Sequence, residues 1–161
     1  GPVRRTLGST VKVRAYVSSD WDRVCEIHDA ARRDELAAAN LDAAYLSLAQ
    51  TAENEGFHSY DIRVAEVLNR VVGFVAFTSE ELAWLYVEPA SYRSGVGTSL
   101  IQAVLQEVHA PMSAEVLEGN EAALSLYRRA GFEVVGHAQG HMPGNEAFAV
   151  SVVELRHPGA A

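Results

Sequence analysis

The apolar residues of this chain change their spacing at a pair of glycines. Before them, Glu81–Val87 reads as a short strand. After them, Val96, Leu100, Ala103, Val104 and Val108 form one helical stripe from Gly95 to about Val108. A strand that passes through Gly95-Val96-Gly97 into an amphipathic helix confines the fold to an α/β architecture. The turn has chemical consequences too. The first N–H groups of a helix have no partner inside it, and the helix dipole makes that end attractive to an anion. Two readings of the glycines are open: a tight turn with a helix cap, or a cradle for a pyrophosphate. The third glycine of a dinucleotide-binding fingerprint and the lysine of a P-loop are both missing.

The remaining segments fill out the same architecture. Val11–Val17 alternates like a strand. Ser18-Ser19-Asp20 offers helix caps, and Val24, Ile27, His28 and Ala31 share the face of a helix expected to end near Arg33. The spacing of Leu41, Tyr45, Leu48 and Ala52 predicts a second helix over 41–53. Tyr60–Leu68, Val71–Thr78 and Glu81–Val87, joined by short turns, predict an antiparallel meander. Ser113–Leu117 is a further strand. Asn120 starts a helix with Ala123, Leu126, Tyr127 and Ala130 on one face, and Gly131 ends it. Phe132–Ala138 and Ala147–Leu155 close the chain as two strands joined by a loop around Pro143-Gly144. The order is β-α-α-β-β-β-α-β-α-β-β. It predicts one domain over 11–156, with a flexible start at 1–10 that includes a Gly1-Pro2 tag remnant, and a frayed tail at 157–161.

Composition removes several classes of function. Thirteen Lys+Arg stand against 21 Asp+Glu, and Lys12 is the only lysine. No basic face of the size that nucleic acid requires is expected, whereas cationic partners are mildly favoured. Cys25 is the only cysteine, so there is no internal disulfide framework, which fits a reducing, cytoplasmic setting. No apolar run approaches a membrane span, no signal peptide precedes the first strand, and no His/Cys/Asp/Glu spacing predicts a metal site.

Two segments together resemble the GCN5-related N-acetyltransferase superfamily. One is Leu85-Tyr86-Val87-x-Pro89 followed by Tyr92-Arg93-Ser94-Gly95-Val96-Gly97-Thr98. The second carries Asn120, Ala123, Tyr127 and Gly131-Phe132 in the family's spacing. The sharp motifs lie between about Glu81 and Phe132, and the order of elements agrees over most of the chain. The family's Arg/Gln position three residues before Gly95 is Tyr92 here, with Arg93 beside it.

The resemblance implies a GNAT-like acyl-CoA N-acyltransferase fold, with a central mixed, mostly antiparallel sheet flanked by helices. It also implies acetyl-CoA as cosubstrate without a metal, and an amine acceptor that attacks directly in a ternary complex. Acetyl-CoA would lie between the fourth and fifth strands. Backbone at Leu85, Tyr86 and Val87 would hold its pantetheine, and the Val87 N–H would polarise the thioester. Tyr92 to Thr98 would hold the pyrophosphate, Asn120 and Ala123 would lie against the cofactor arm, and Tyr127 would protonate the departing thiolate. Arg129 or Arg128 would either reach the adenosine phosphate or simply complement a helix C-terminus.

Several of these residues also suit a plainer role. Asn120 fits a simple helix cap, and Tyr127 a simple core position. Glu81 is either the general base or a solvated turn carboxylate, and relay through water or His58, His137 or His141 competes with it. The acceptor is a small-molecule or peptide amine, bordered by residues 30–44 and 136–147. A homodimer is one assembly that relatives allow. From a different class of function, a non-catalytic acyl-CoA sensor or scaffold would use the same cradle without needing the phenol.

Overall fold

The computed structural model describes residues 10–53, 55–142 and 144–159. The expectation for the N-terminal remnant falls mostly on residues outside that range. A seven-stranded sheet forms the centre. Its strands are β1 (Lys12–Ala15), β2 (Asp61–Val67), β3 (Arg70–Phe77), β4 (Glu81–Val87), β5 (Met112–Leu117), β6 (Glu133–Met142) and β7 (Asn145–His157). They lie in the order β1-β2-β3-β4-β5-β7-β6. Every neighbouring pair is antiparallel except β4 and β5.

Helices cover both faces. On one face α1 (Trp21–Ala38) and the short α2 (Leu48–Thr51) bury Val24, Ile27 and Leu48 against Phe57, Phe74 and Trp84. On the opposite face, α3 (Val96–Glu107) and α4 (Glu121–Arg129) bury Val96, Leu100, Val104 and Tyr127 against strands β2 to β5 and β7. β3 lies between the two layers, which is why all of it after Arg70 is buried and its sequence is a continuous apolar run. The β2–β3 turn is tight, with Leu68 and Asn69 both at positive φ.

Three expected boundaries move. The segment 41–53 is not one helix. It splits into a 3₁₀ turn (Asp42–Ala44) and α2, because Tyr45 is extended and Ser47 starts a new helix through a capping box with Gln50. Its apolar stripe is still buried, so the periodicity reported burial rather than continuous helix. α1 continues past Arg33 to Ala38. Leu36, fully buried, draws the extra turn inward, and Asn40 ends it at φ 58 with the Leu41 N–H donating to the Leu36 carbonyl. The last two strands are longer than expected, and His157 is paired with Met112 instead of frayed. Its ring lies 5.3 Å from that of Phe132.

The end of α1 approaches the start of α4 closely. A Cβ on Gly119, which sits at φ +99, would lie 2.8 Å from the Ala38 carbonyl oxygen. Gly119→Ala therefore meets both backbone strain and a backbone clash. It is expected to cost about 2 kcal/mol or more, read as a lower midpoint in urea at unchanged slope.

Candidate active site

The site originates in the one parallel pairing. β4 and β5 are in register only at Glu81↔Ser113 and Leu82↔Ala114. Beyond Leu82, β4 stays with β3, β5 stays with β7, and the two strands separate. Trp84 to Val87 thus presents a backbone edge with no strand beside it, the kind of edge that pairs with an extended ligand. A cleft of about 1390 Å³ occupies the gap and reaches from Glu81 to the α3 turn. That exceeds the usual volume for one small ligand and leaves room for two substrates.

The glycine turn lies at one end of this cleft. Gly95 caps α3 at φ 86, and the N–H groups of residues 93–98 make no backbone hydrogen bond among the described residues. Gly97 allows α4 to pack against α3, since a Cβ there would meet Leu126 Cδ2 at 2.8 Å. Arg93 lines the cleft at φ 66, and its guanidinium has no hydrogen-bond or ion-pair partner among the described residues. Glu88, 8 % exposed, anchors the stretch before the turn. Its carboxylate accepts from Arg23, from Arg70 at 2.7 Å and from Ser91 at 2.7 Å. Burial pushes this carboxyl up, but the hydrogen bonds from Arg70, Ser91 and Arg23 outweigh it and hold the group at about 2.

Tyr127, on α4, is 5 % exposed and lines the cleft, and its hydroxyl has no hydrogen-bond partner among the described residues. Buried hydroxyls are normally paired, so this one fits a group that arrives with a ligand. Burial first, and then the charge of Glu35, push the phenol above its ordinary value, so it stays protonated. Glu35 itself, on the added turn of α1, accepts from Arg32 at 2.6 Å, Tyr86 at 2.8 Å and Asn120 at 3.4 Å. Asn120 is at the same time the cap of α4, with its Oδ1 accepting from the Ala123 N–H at 3.2 Å.

The cleft brings together most of the residues that the sequence singled out. Glu81, Leu85, Tyr86, Val87, Tyr92, Arg93, Gly95, Gly97, Thr98, Asn120, Ala123, Tyr127 and Arg129 all line it. Val96 and Ser94 do not: the Val96 side chain is in the core, and the Ser94 hydroxyl turns back to the Ser91 carbonyl. The Tyr86 ring points toward α1, with its centroid 4.9 Å from that of His28. Tyr92 donates to Asp34 at 3.3 Å, so it braces α1. Glu81, exposed at the start of β4, accepts from the Tyr60 hydroxyl at 2.9 Å. Arg129 donates to Ser125 at 2.6 Å. His141 lines the cleft, whereas His137 faces Glu118 and His58 stacks on Trp21. Cys25 packs beside the α1 core, where burial lifts its thiol to about 11. The sequence places Glu35 only within the 30–44 border of the acceptor, and Glu88 in no role at all, because beside Pro89 it looks like turn surface. No group of His, Cys, Asp or Glu suited to a metal occurs among the described residues.

Residues 55–134 match the acetyltransferase (GNAT) domain family. Among curated proteins, the chain is 34 % identical over 67 residues to the peptidyl-lysine N-acetyltransferase YiaC of Escherichia coli (strain K12). That match takes in 41 % of this chain and 45 % of the relative, so the chain spans less than half of that protein's length. Among solved structures, a GCN5-related N-acetyltransferase from Rhodopseudomonas palustris superposes with a TM-score of 0.77 at 17 % identity, over 96 % of this chain and 99 % of the relative. The yncA protein of Salmonella typhimurium, solved with its cofactor acetyl-CoA, gives 0.65 at 18 % identity, over 92 % and 93 %.

Proposed function

We propose that this chain, which belongs to the GCN5-related N-acetyltransferase superfamily, transfers the acetyl group of acetyl-CoA to a primary amine of a small molecule or peptide. The observation that carries this reading is a pairing within one cleft. At one end lie N–H groups over residues 93–98, and from α4 projects a buried phenol, both without a hydrogen-bond partner among the described residues. The first suits an anionic diphosphate. The second suits an atom that gains negative charge during reaction. A pure binding module would need only the first.

Bound acetyl-CoA would supply the thioester and a thiolate leaving group. The chain's own residues do the rest. Residues 93–98 and Arg93 hold the anionic end, and the free edge of β4 at Leu85 and Val87 aligns the arm. Tyr127 keeps its proton because it is buried, and it donates a hydrogen bond to the sulfur. The same burial raises the proton affinity of a departing thiolate, which favours completing the transfer. Direct attack by the amine suits the position of Cys25, which packs against the α1 core outside the cleft. Glu35, Glu55 and Glu81 line the cleft as well, a lining that attracts a cationic acceptor.

Calorimetric titration with acetyl-CoA tests the first half, and CoA thiol release with a panel of lysine peptides, alanine-initiated peptides and polyamines tests the second. Saturable binding with release for at least one amine is expected. Binding with no release across the panel would leave a non-catalytic acyl-CoA module. Arg93→Ala is expected to weaken acetyl-CoA about fivefold. Its melting temperature is expected to stay unchanged, because the guanidinium has no partner among the described residues.

A further inference from the structure

The Glu35 carboxylate is only partly satisfied. Oε1 accepts from both Arg32 and Tyr86, whereas Oε2 meets only the Asn120 amide at 3.4 Å, near the limit of a hydrogen bond. An ionised carboxylate takes about four hydrogen bonds, so acceptor capacity remains on a side chain that is 17 % exposed and lines the cleft. Its orientation is fixed from three elements: its own helix, β4 and the cap of α4. Arg32 in turn reaches the Met142 sulfur at 3.1 Å, which ties the pair to the β6–β7 hairpin. A group held in this way is pre-organised for a donor that arrives from the cleft.

Position selects the donor. Glu35 is hydrogen-bonded to Asn120 at the start of the helix that carries Tyr127, and its charge acts on the phenol. If the phenol marks where sulfur departs, an attacking nitrogen must approach the carbon bonded to that sulfur within the cleft that Glu35 and Tyr127 both line. Glu81 is exposed at the far end of β4, and one of its oxygens is taken by Tyr60. We propose that Glu35 Oε2 is the docking point for the acceptor's amine, accepting an N–H from a cationic nitrogen and orienting it. This assignment rests on the acetyl-transfer reading and deepens it.

The test uses the full chain and two titrations. The first adds acetyl-CoA to wild type and to Glu35→Gln. The second adds spermidine, N-α-acetyl-lysine amide or an alanine-initiated hexapeptide to each protein loaded with CoA. Wild type is expected to bind at least one amine at millimolar concentration or better. E35Q keeps the size and the acceptor oxygen that Arg32 and Tyr86 need, and it is expected to weaken that amine by about tenfold or more. Acetyl-CoA affinity should stay within about twofold. Equal amine binding by E35Q overturns the proposal. So does parallel loss of acetyl-CoA, which would make Glu35 a scaffold residue. Wild type that binds acetyl-CoA but none of the amines overturns the docking point and leaves the cofactor reading intact. Failure to bind acetyl-CoA removes the reading beneath it. Should E35Q melt early, Glu35→Asp keeps the charge but withdraws it by a methylene. It is expected to weaken the amine while sparing acetyl-CoA, and unchanged amine affinity in E35D overturns the proposal.

Discussion

Tyr127→Phe is expected to lower turnover by about a hundredfold or more, the usual contribution of a positioned proton donor. Affinity for acetyl-CoA should change by less than about twofold, and stability should hold or rise. The three effects separate because the ring and the hydroxyl do different things. The ring is core: it packs edge-on to Phe132 with centroids 5.2 Å apart, and Phe keeps that contact. The hydroxyl is buried without a partner among the described residues, an arrangement that costs a fold on the order of 1 kcal/mol or more. Removing it relieves the fold and deprives the departing sulfur. Steady-state kinetics, calorimetry and thermal melts on the same two proteins read all three. Turnover equal to wild type would end the acid role, and parallel loss of cofactor binding would make Tyr127 a packing residue of the cradle. Because burial holds the phenol above its ordinary range, an alkaline fall in rate below pH about 10 belongs to another group.

Glu88→Ala carries the second large effect, on stability and cofactor binding together. The carboxylate joins Arg23 of α1, Arg70 of β3 and Ser91 ahead of the glycine turn, while its N–H donates to the Val72 carbonyl. Removing it leaves Arg23 and Arg70 without their shared anion and frees the segment leading into residues 93–98. The loss is expected to be on the order of 3 kcal/mol, with acetyl-CoA binding weakened about tenfold as the N–H array loses its pre-organisation. The same group sets a pH dependence. Its folded value, about 2, lies below the ordinary 4.5, so the unfolded chain binds more protons between them. The stabilisation is complete above about pH 4.5 and disappears as pH falls toward 2. Urea midpoints at pH 6 and pH 3 should therefore differ more for wild type than for Glu88→Ala. Equal slopes with pH in both proteins would show that the carboxylate is not coupled to folding.

The parts of the site carried by local pattern were readable in the sequence. Gly95 and Gly97 had to mark a turn into a helix, and Asn120 had to mark a helix start, because each choice is made within one turn of chain. Tyr127 stood on the apolar stripe of its helix. What it lacked, a partner for its hydroxyl, is a fact about every other segment and so could not be seen. Glu35 followed the same logic. In Arg32-Arg33-Asp34-Glu35 it lies in the stretch expected to border the acceptor, but nothing local separates it from its charged neighbours, and the expected helix end near Arg33 left it outside the element. Its partners Tyr86 and Asn120 lie far away in the chain. The segment 41–53 misled in the opposite direction: its stripe is buried as expected, but Ser47 restarts the helix through a local cap.

The sequence alone determined the order of most strands and helices, though not all their boundaries, and it put a glycine turn between β4 and α3. Those features come from side-chain spacing and from backbone freedom at single residues. Only the tertiary structure decided that β4 and β5 meet for two residue pairs and then diverge. Strand separation depends on what each strand pairs with on its far side, here β3 and β7. The cleft that Tyr127 and Glu35 line follows from the divergence.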